Sequence, residues 1–351
     1  MLIIGFDFHT RYQQIAWLDA ATGEIQERRL EHEGDEVRTF YAALPGPVRV
    51  GIEATGYTQW FERLLHELGY EFWIGDAAAI RASVVRKQKT DSRDAAHVLD
   101  LLITNRFPRI WVPTPAERDL RQLVLHRVRL VQMRTKVQNQ LQAMAMSQGV
   151  CRKKKLWSVR GRAELQSLPL DRWAQRRRQE LLQLLDQLDG SITELHAAVE
   201  QQARQHPEAA RLMTHPGVGP VTSLAFVLTM GPVSRFARSK KVASYLGLNP
   251  WEKSSGGRQR MGAISKQGNS TMRWLLVEAG QTAARYDPAL GRMYQRLKFR
   301  RGSAIAKVAV ARKLAVRLYW MLRSQSDYAR LVRMSGSSSS AVVPEVSGSG
   351  R

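Results

Sequence analysis

Residues 1–10 read MLIIGFDFHT, an apolar run that ends in the carboxylate of Asp7. A run this short, bounded by polar residues, suits a strand, and an unpaired charge at its buried end is costly, so something must repay Asp7. Working outward, QQIAWLDA (13–20) and IQERRL (25–30) read as further strands separated by the turn ATGE, and EVRTFYAAL (36–44) reads as a helix. PVRVGIEATG (47–56) then gives a strand ending in Glu53, a helix covers 58–68, and YEFWIG (70–75) is another strand. Three strands followed by alternating helices and strands predict an α/β sheet with hairpin and crossover connections.

Composition narrows the function. The 351 residues carry 54 Lys and Arg against 31 acids, a net charge of +23. Residues 1–80 hold 6 basic and 13 acidic residues, net −7, which leaves +30 for the remainder. A field of that size implies a polyanionic partner, and nucleic acid is the first candidate because each phosphate neutralised releases counterions. No apolar run approaches the roughly 18 residues of a membrane span, and the first residues lack the pattern of a signal peptide, so no membrane role is expected. One cysteine, Cys151, excludes an internal disulfide framework, and the eight histidines show no zinc-ligand spacing. A cytoplasmic protein is the expectation.

Farther along, KTDSRDAAHVLDLL (89–102) places Asp91 and Asp94 at a helix start. They read as cap and first-turn acid, which suit a helix dipole, or as half of a metal site. Three residues apart, they share a helical face. Together with Asp7 and Glu53 at strand ends, where α/β sheets bind ligands, they form an oxygen set suited to Mg²⁺ or Mn²⁺. A capping duty competes for Asp91, so Asp94 is the stronger ligand candidate.

Thr114, Pro115 and Glu117 predict a capping box at a domain boundary. The basic helix beyond it runs to about residue 148, CRKKKLWSVRGR (151–162) interrupts it, and a second helix over 173–206 carries leucines near heptad spacing. Those stripes fit packing within the chain or an intermolecular coiled coil. HPGVGPVTSLAF resembles a helix-hairpin-helix turn in which Gly217 and Gly219 permit a tight loop whose backbone amides hold a phosphate; a plain turn is the alternative. Gly-rich loops and short helices are expected from there to about residue 333, and 334–351 reads as a disordered tail. Within this region, Ser254 and Ser255 precede Gly256 and Gly257 among Lys253, Arg258, Arg260 and Lys266. A serine on a flexible cationic loop can attack phosphate, or the loop can make phosphate contacts alone.

Taken together, GFDFHT, GIEATGYT, KTDSRDA, HPGVGPVTS and YLGLNPWEKSSGG…ISKQGN…R resemble the DEDD transposases of insertion sequences, the bridge-RNA-guided recombinases, over roughly residues 1–325. The resemblance implies a ribonuclease H-like (RuvC-like) domain over 1–113, whose Asp7, Glu53, Asp91 and Asp94 bind Mg²⁺. It implies a helical coiled-coil region over 114–206 and a mostly helical transposase domain over 207–333. Ser255 is there the implied nucleophile, Ser254 the lesser candidate, and Arg273 falls in the last motif among the nucleic-acid contacts. It further implies donor and target double-stranded DNA, a structured noncoding guide RNA, and a homodimer that assembles to a tetramer. A phosphoserine link conserves the energy of the broken phosphodiester, and RNA pairing leaves the protein to read backbone and shape. The rival readings are a metal-dependent RuvC-like nuclease in which water attacks, and a non-catalytic RNA- or DNA-binding scaffold.

Overall fold

The structure, a computed structural model, describes residues 1–84, 90–152, 155–254, 258 and 260–337, the last four by backbone alone. The chain divides into two compact units, Met1–Val112 and Pro113–Arg351.

In the first unit, β1 (Leu2–Phe8), β2 (Tyr12–Asp19) and β3 (Ile25–Glu31) form an antiparallel meander. α1 (Glu36–Ala42) leads to β4 (Val48–Glu53) and α2 (Gln59–Glu67) leads to β5 (Glu71–Gly75). β4 pairs in parallel with β1 and with β5, so the sheet order is β3-β2-β1-β4-β5. α3 (Ala77–Ser83) and α4 (Asp91–Ile103) complete the unit. The α/β expectation for this part of the chain holds.

Strand alternation decides what each face carries. Leu2, Ile4 and Phe6, with Val48, Val50 and Ile52, pack against Val37 and Tyr41 of α1 and Phe61 and Leu65 of α2. The opposite face of β1 carries Ile3, Gly5 and Asp7, and that of β4 carries Arg49, Gly51 and Glu53. α4 covers this face with Ala95, Val98, Leu99 and Leu102. Gly5 and Gly51 stand opposite each other in the parallel register. A Cβ on Gly5 would lie 2.3 Å from the backbone N of Leu99, and one on Gly51 2.6 Å from Leu102 Cδ1. Two adjacent glycines therefore let α4 lie directly on the sheet.

In the second unit, α5 (Pro115–Ser147) begins with the expected capping box. The backbone N–H of Glu117 donates to Thr114 Oγ1, and that of Thr114 donates to the Glu117 carboxylate at 2.7 Å. α6 (Val159–Gln166) occupies part of the expected interruption, and α7 (Arg172–Gln205) returns antiparallel along α5. Leu182, Leu185, Leu188 and Ile192 bury against Val137, Leu141 and Ala145, so the leucine stripe packs within the chain. Val124, Val128, Val199 and Ala203 join a core with Leu212, Leu224 and Phe226 of α8 (Pro207–Met213) and α9 (Pro220–Met230). The two long helices thus share a core with α8 and α9.

Beyond come α10 (Ser239–Tyr245), an antiparallel hairpin of β6 (Pro250–Glu252) and β7 (Met261–Ile264), α11 (Ser270–Tyr286), α12 (Pro288–Arg301), α13 (Ser303–Arg323) and α14 (Tyr328–Ser337). The hairpin and the 21-residue α13 correct the expectation of loops and short helices. Leu314, Ala315, Leu318 and Leu322 form an apolar stripe at 3- and 4-residue spacing that buries along α13. α14 extends to Ser337, so the first residues of the expected 334–351 tail are helical; 338–351 lie outside the described residues. Asp287, 2% exposed, ties α12, α13 and α14 together. It accepts from the Leu290 amide at 2.7 Å, from the Tyr328 hydroxyl at 2.7 Å and from the Arg317 guanidinium. Burial raises the Asp287 carboxyl, but these donors outweigh burial and hold its pKa below the usual carboxylate value.

Candidate functional site

The carboxyl ends of β1 and β4 lie side by side because the strands pair in parallel with Phe6 beside Ile52, so the next residues, Asp7 and Glu53, are neighbours on the α4 face. α4 begins over these strand ends. Its N-cap is Thr90, whose side chain accepts from the Arg93 amide, so Asp91 is released from the capping duty expected of it. Asp91 and Asp94 both fall in the first turn, where the exposed amides of the helix favour negative charge.

Asp7, Glu53 and Asp94 line one cavity of 360 Å³, together with Ala54, Thr55, Arg81 and His97. Arg81 Nη2 lies 3.7 Å from Glu53 Oε1, and His97 Nε2 lies 2.9 Å from Ser83 Oγ. Asp91 stands beside the same carboxylate of Asp7 through a histidine. His9 Nε2 is 3.1 Å from Asp7 Oδ2 and 3.3 Å from Asp91 Oδ2. Ligand atoms of Asp7, His9 and Asp91 all lie within 4.8 Å of one another. Tyr12 donates its hydroxyl to Asp91 Oδ2 at 2.8 Å, and this bond, with burial, raises the Tyr12 pKa. The His9 and Tyr12 rings stack at 4.5 Å, and the Arg29 guanidinium covers Tyr12 at 3.7 Å.

Sequence pattern does not single out His9 or Tyr12 as site residues. A signal for His9 is nonetheless present, since it comes two residues after Asp7 and so projects to the same side of the extended chain. Tyr12 reaches Asp91 only because β2 folds back on β1, a contact across 79 residues that no local pattern announces. The donor chemistry fits a hard divalent cation, which prefers several carboxylate oxygens and tolerates an imidazole.

In the second unit, the β6–β7 hairpin carries the serine loop. Ser254 Oγ donates to Glu252 Oε1 and accepts from the Arg260 amide at 3.2 Å, closing the hairpin. Ser255, Gly256 and Gly257 lie outside the described residues. Lys253, Arg258, Arg260 and Lys266 are exposed, with Lys253 Nζ 5.5 Å from the centre of the Trp251 ring. Arg273 Nη1 donates to the carbonyls of Leu246, Gln267 and Gly268, which holds the turn before α11. Gly217 has φ +83°, and a Cβ there would come 2.4 Å from the Ala283 backbone N. The requirement for glycine at Gly217 thus comes from the approach of α11 as well as from the turn. Gly219 is the exposed N-cap of α9 and has extended backbone. Among the described residues, no helix is long and apolar enough to cross a membrane.

Comparison with known proteins matches residues 4–147 to a transposase family model of the DEDD IS110 type and residues 209–295 to the Transposase IS116/IS110/IS902 family. A probable family 20 transposase of Pseudomonas aeruginosa is 28% identical over 338 residues, covering 92% of this chain and 96% of that protein. A putative transposase of Sinorhizobium fredii, y4rJ, is 30% identical over 297 residues, 74% of this chain and 73% of its own length. The transposase for insertion sequence element IS1111A of Coxiella burnetii is 25% identical, with 93% and 91% covered.

Proposed function

The chain belongs to the IS116/IS110/IS902 transposase family, and on that premise we propose that it is an RNA-guided DNA recombinase of an insertion sequence, with Ser255 as its nucleophile. The observation that carries this reading is the meeting of acids from β1, β4 and α4, elements far apart in sequence, around one cavity. The sheet order β3-β2-β1-β4-β5, with acids at adjacent strand ends, supports a ribonuclease H-like, RuvC-like assignment for the first unit.

Asp7, Glu53, Asp91 and Asp94 are the residues that would hold Mg²⁺ or Mn²⁺, with His9 as a further donor. A bound cation there supplies charge stabilisation to phosphate oxygens and activates a nucleophile. The chain's own residues do the rest. The first turn of α4 carries Asp91 and Asp94 to the site, and Tyr12 orients Asp91. Lys253, Arg258, Arg260 and Lys266 provide phosphate contacts beside the serine loop, and the Gly217–Gly219 turn provides backbone amides.

In the covalent step, the Ser255 oxygen bonds to phosphorus as the bond from phosphorus to the 3′ oxygen breaks. The serine proton ends on the departing 3′ oxygen, leaving a 5′-phosphoserine. Attack by another strand's 3′ hydroxyl reverses the exchange and rejoins DNA without a nucleotide cofactor. Ser254, tied to Glu252 and Arg260, serves the hairpin. Under this reading donor and target duplexes are chosen by pairing with a structured noncoding RNA. The protein works as a dimer assembling to a tetramer, the serine domain of one subunit completing the metal site of another.

The test is Ser255→Ala beside Asp94→Asn, assayed for denaturant-resistant protein–DNA adducts and for binding. Ser255→Ala is expected to lose adducts and keep binding, and Asp94→Asn to lose strand cleavage. Adducts that persist without Ser255 overturn the nucleophile. Cleavage that survives Ser255→Ala but not Asp94→Asn assigns attack to water.

A further inference from the structure

Between Asp287 and Asp327 the chain has ten Lys or Arg and no acidic residue. Arg317 and Arg323 have partners within the fold, the first on Asp287 and the second on the Phe236 carbonyl. α12 buries Leu290, packs Tyr294 against Ala283 and Val310, and turns its other side outward. On that outer side stand Arg292, Arg296 and Phe299, spaced four and three residues apart, with Arg300 beside them. All four are exposed, and Phe299 is 94% exposed.

The helix itself explains only part of this. Lys298, Arg300 and Arg301 lie in the last turn, where cations suit the negative end of the dipole. Arg292 and Arg296 lie in the middle of the helix, outside the last turn that would favour a cation. Arg292, Arg296 and Arg300 also form a like-charge ladder at i, i+4 and i+8, which costs a helix stability. Among the described residues no ion pair offsets them. A single exposed aromatic is ordinary, but one centred in an uncompensated cationic face has a chemical match: phosphates spaced along a strand, with an unstacked base for the ring.

We infer that the Arg292–Arg296–Phe299–Arg300 face of α12 binds an unpaired DNA strand. Arginines contact successive phosphates and Phe299 stacks on a base; a paired duplex offers its phosphates but not its base faces. The inference rests on the DNA-processing reading above, in which strand exchange exposes unpaired DNA, but it uses neither the acidic site nor the serine.

The experiment uses the full chain and fluorescence anisotropy with oligo(dT), oligo(U) and a random duplex, at several salt concentrations. Phe299→Ala is expected to weaken oligo(dT) binding about 5- to 150-fold, the range for removing one stacking ring, while duplex affinity and thermal stability stay unchanged. Arg292→Gln with Arg296→Gln should lower the salt slope for oligo(dT) by about 1.4, two phosphates at about 0.7 each on a single strand. Three results overturn the assignment: variants that bind oligo(dT) like the unmodified chain, Phe299→Ala weakening the duplex equally, or a Phe299 effect confined to oligo(U). If the unmodified chain binds none of these ligands, the nucleic-acid function fails with it. If it binds and only the α12 variants are silent, the surface alone is wrong.

Discussion

Replacing Gly5 with Ala tests whether the close seat of α4 on the sheet builds the acidic site. The added Cβ would lie 2.3 Å from the Leu99 N and 2.8 Å from the Ala95 O, both backbone atoms, whereas ordinary contact begins near 3.4 Å. No rotamer relieves this, so α4 must retreat by about 1 Å or β1 must bend. Overpacking of this kind costs about 1–3 kcal/mol. For a unit of this size, about 2 kcal/mol lowers its Tm by roughly 10 °C. The displacement also carries Asp91 and Asp94 away from Asp7 without altering a ligand. Calorimetry with and without MnCl₂ measures both effects. At a cation concentration of 100 Kd the ion adds about 2.7 kcal/mol, and a tenfold loss of affinity removes about half of that. A Gly5→Ala variant with unchanged Tm and an unchanged Mn²⁺ increment would refute the argument that this glycine positions the site.

The opposite sign is expected at Gly190, which is helical in α7 and has open space where its Cβ would stand, so Gly190→Ala should stabilise by about 0.5–1 kcal/mol in a denaturant titration. His9→Ala should weaken Mn²⁺ binding by about 10- to 100-fold by calorimetric titration with the fold intact, as expected for a donor that touches two of the proposed ligands. Asp287 has a lowered pKa in the folded chain, so its contribution is present above the unfolded carboxyl value near 4 and is lost as pH falls through the lower folded value. Thermal melts between pH 2.5 and 6 should therefore show acid loss of stability that Asp287→Asn flattens. The same variant should be destabilised at pH 7 by about 3–5 kcal/mol, because Arg317 is left without its partner.

Local pattern makes much of this molecule legible. Short, largely apolar runs, LIIGFDF and VRVGIE, mark both strands, and Thr114, Pro115 and Glu117 announce α5 because a capping box is a short-range device. Asp7 and Glu53 stand out since a carboxylate ending an apolar strand needs compensation. The β6–β7 hairpin is harder to see, as its strands of three and four residues span too few positions for a period to emerge.

What the amino-acid order settled alone was the strands of the first unit, the long helices α5 and α7, the charge imbalance and the residues whose chemistry is out of place. Tertiary structure decided which of them meet. Parallel pairing of β1 with β4 put Asp7 beside Glu53, and Gly5 and Gly51 admitted α4 so that Asp94 reached their cavity. Thr90 took the cap and left Asp91 to Tyr12 and His9, while Arg273 came within reach of three carbonyls. Periodicity registers which side of an element is apolar, but distances between side chains remote in sequence depend on strand register and on the clearance between packed backbones.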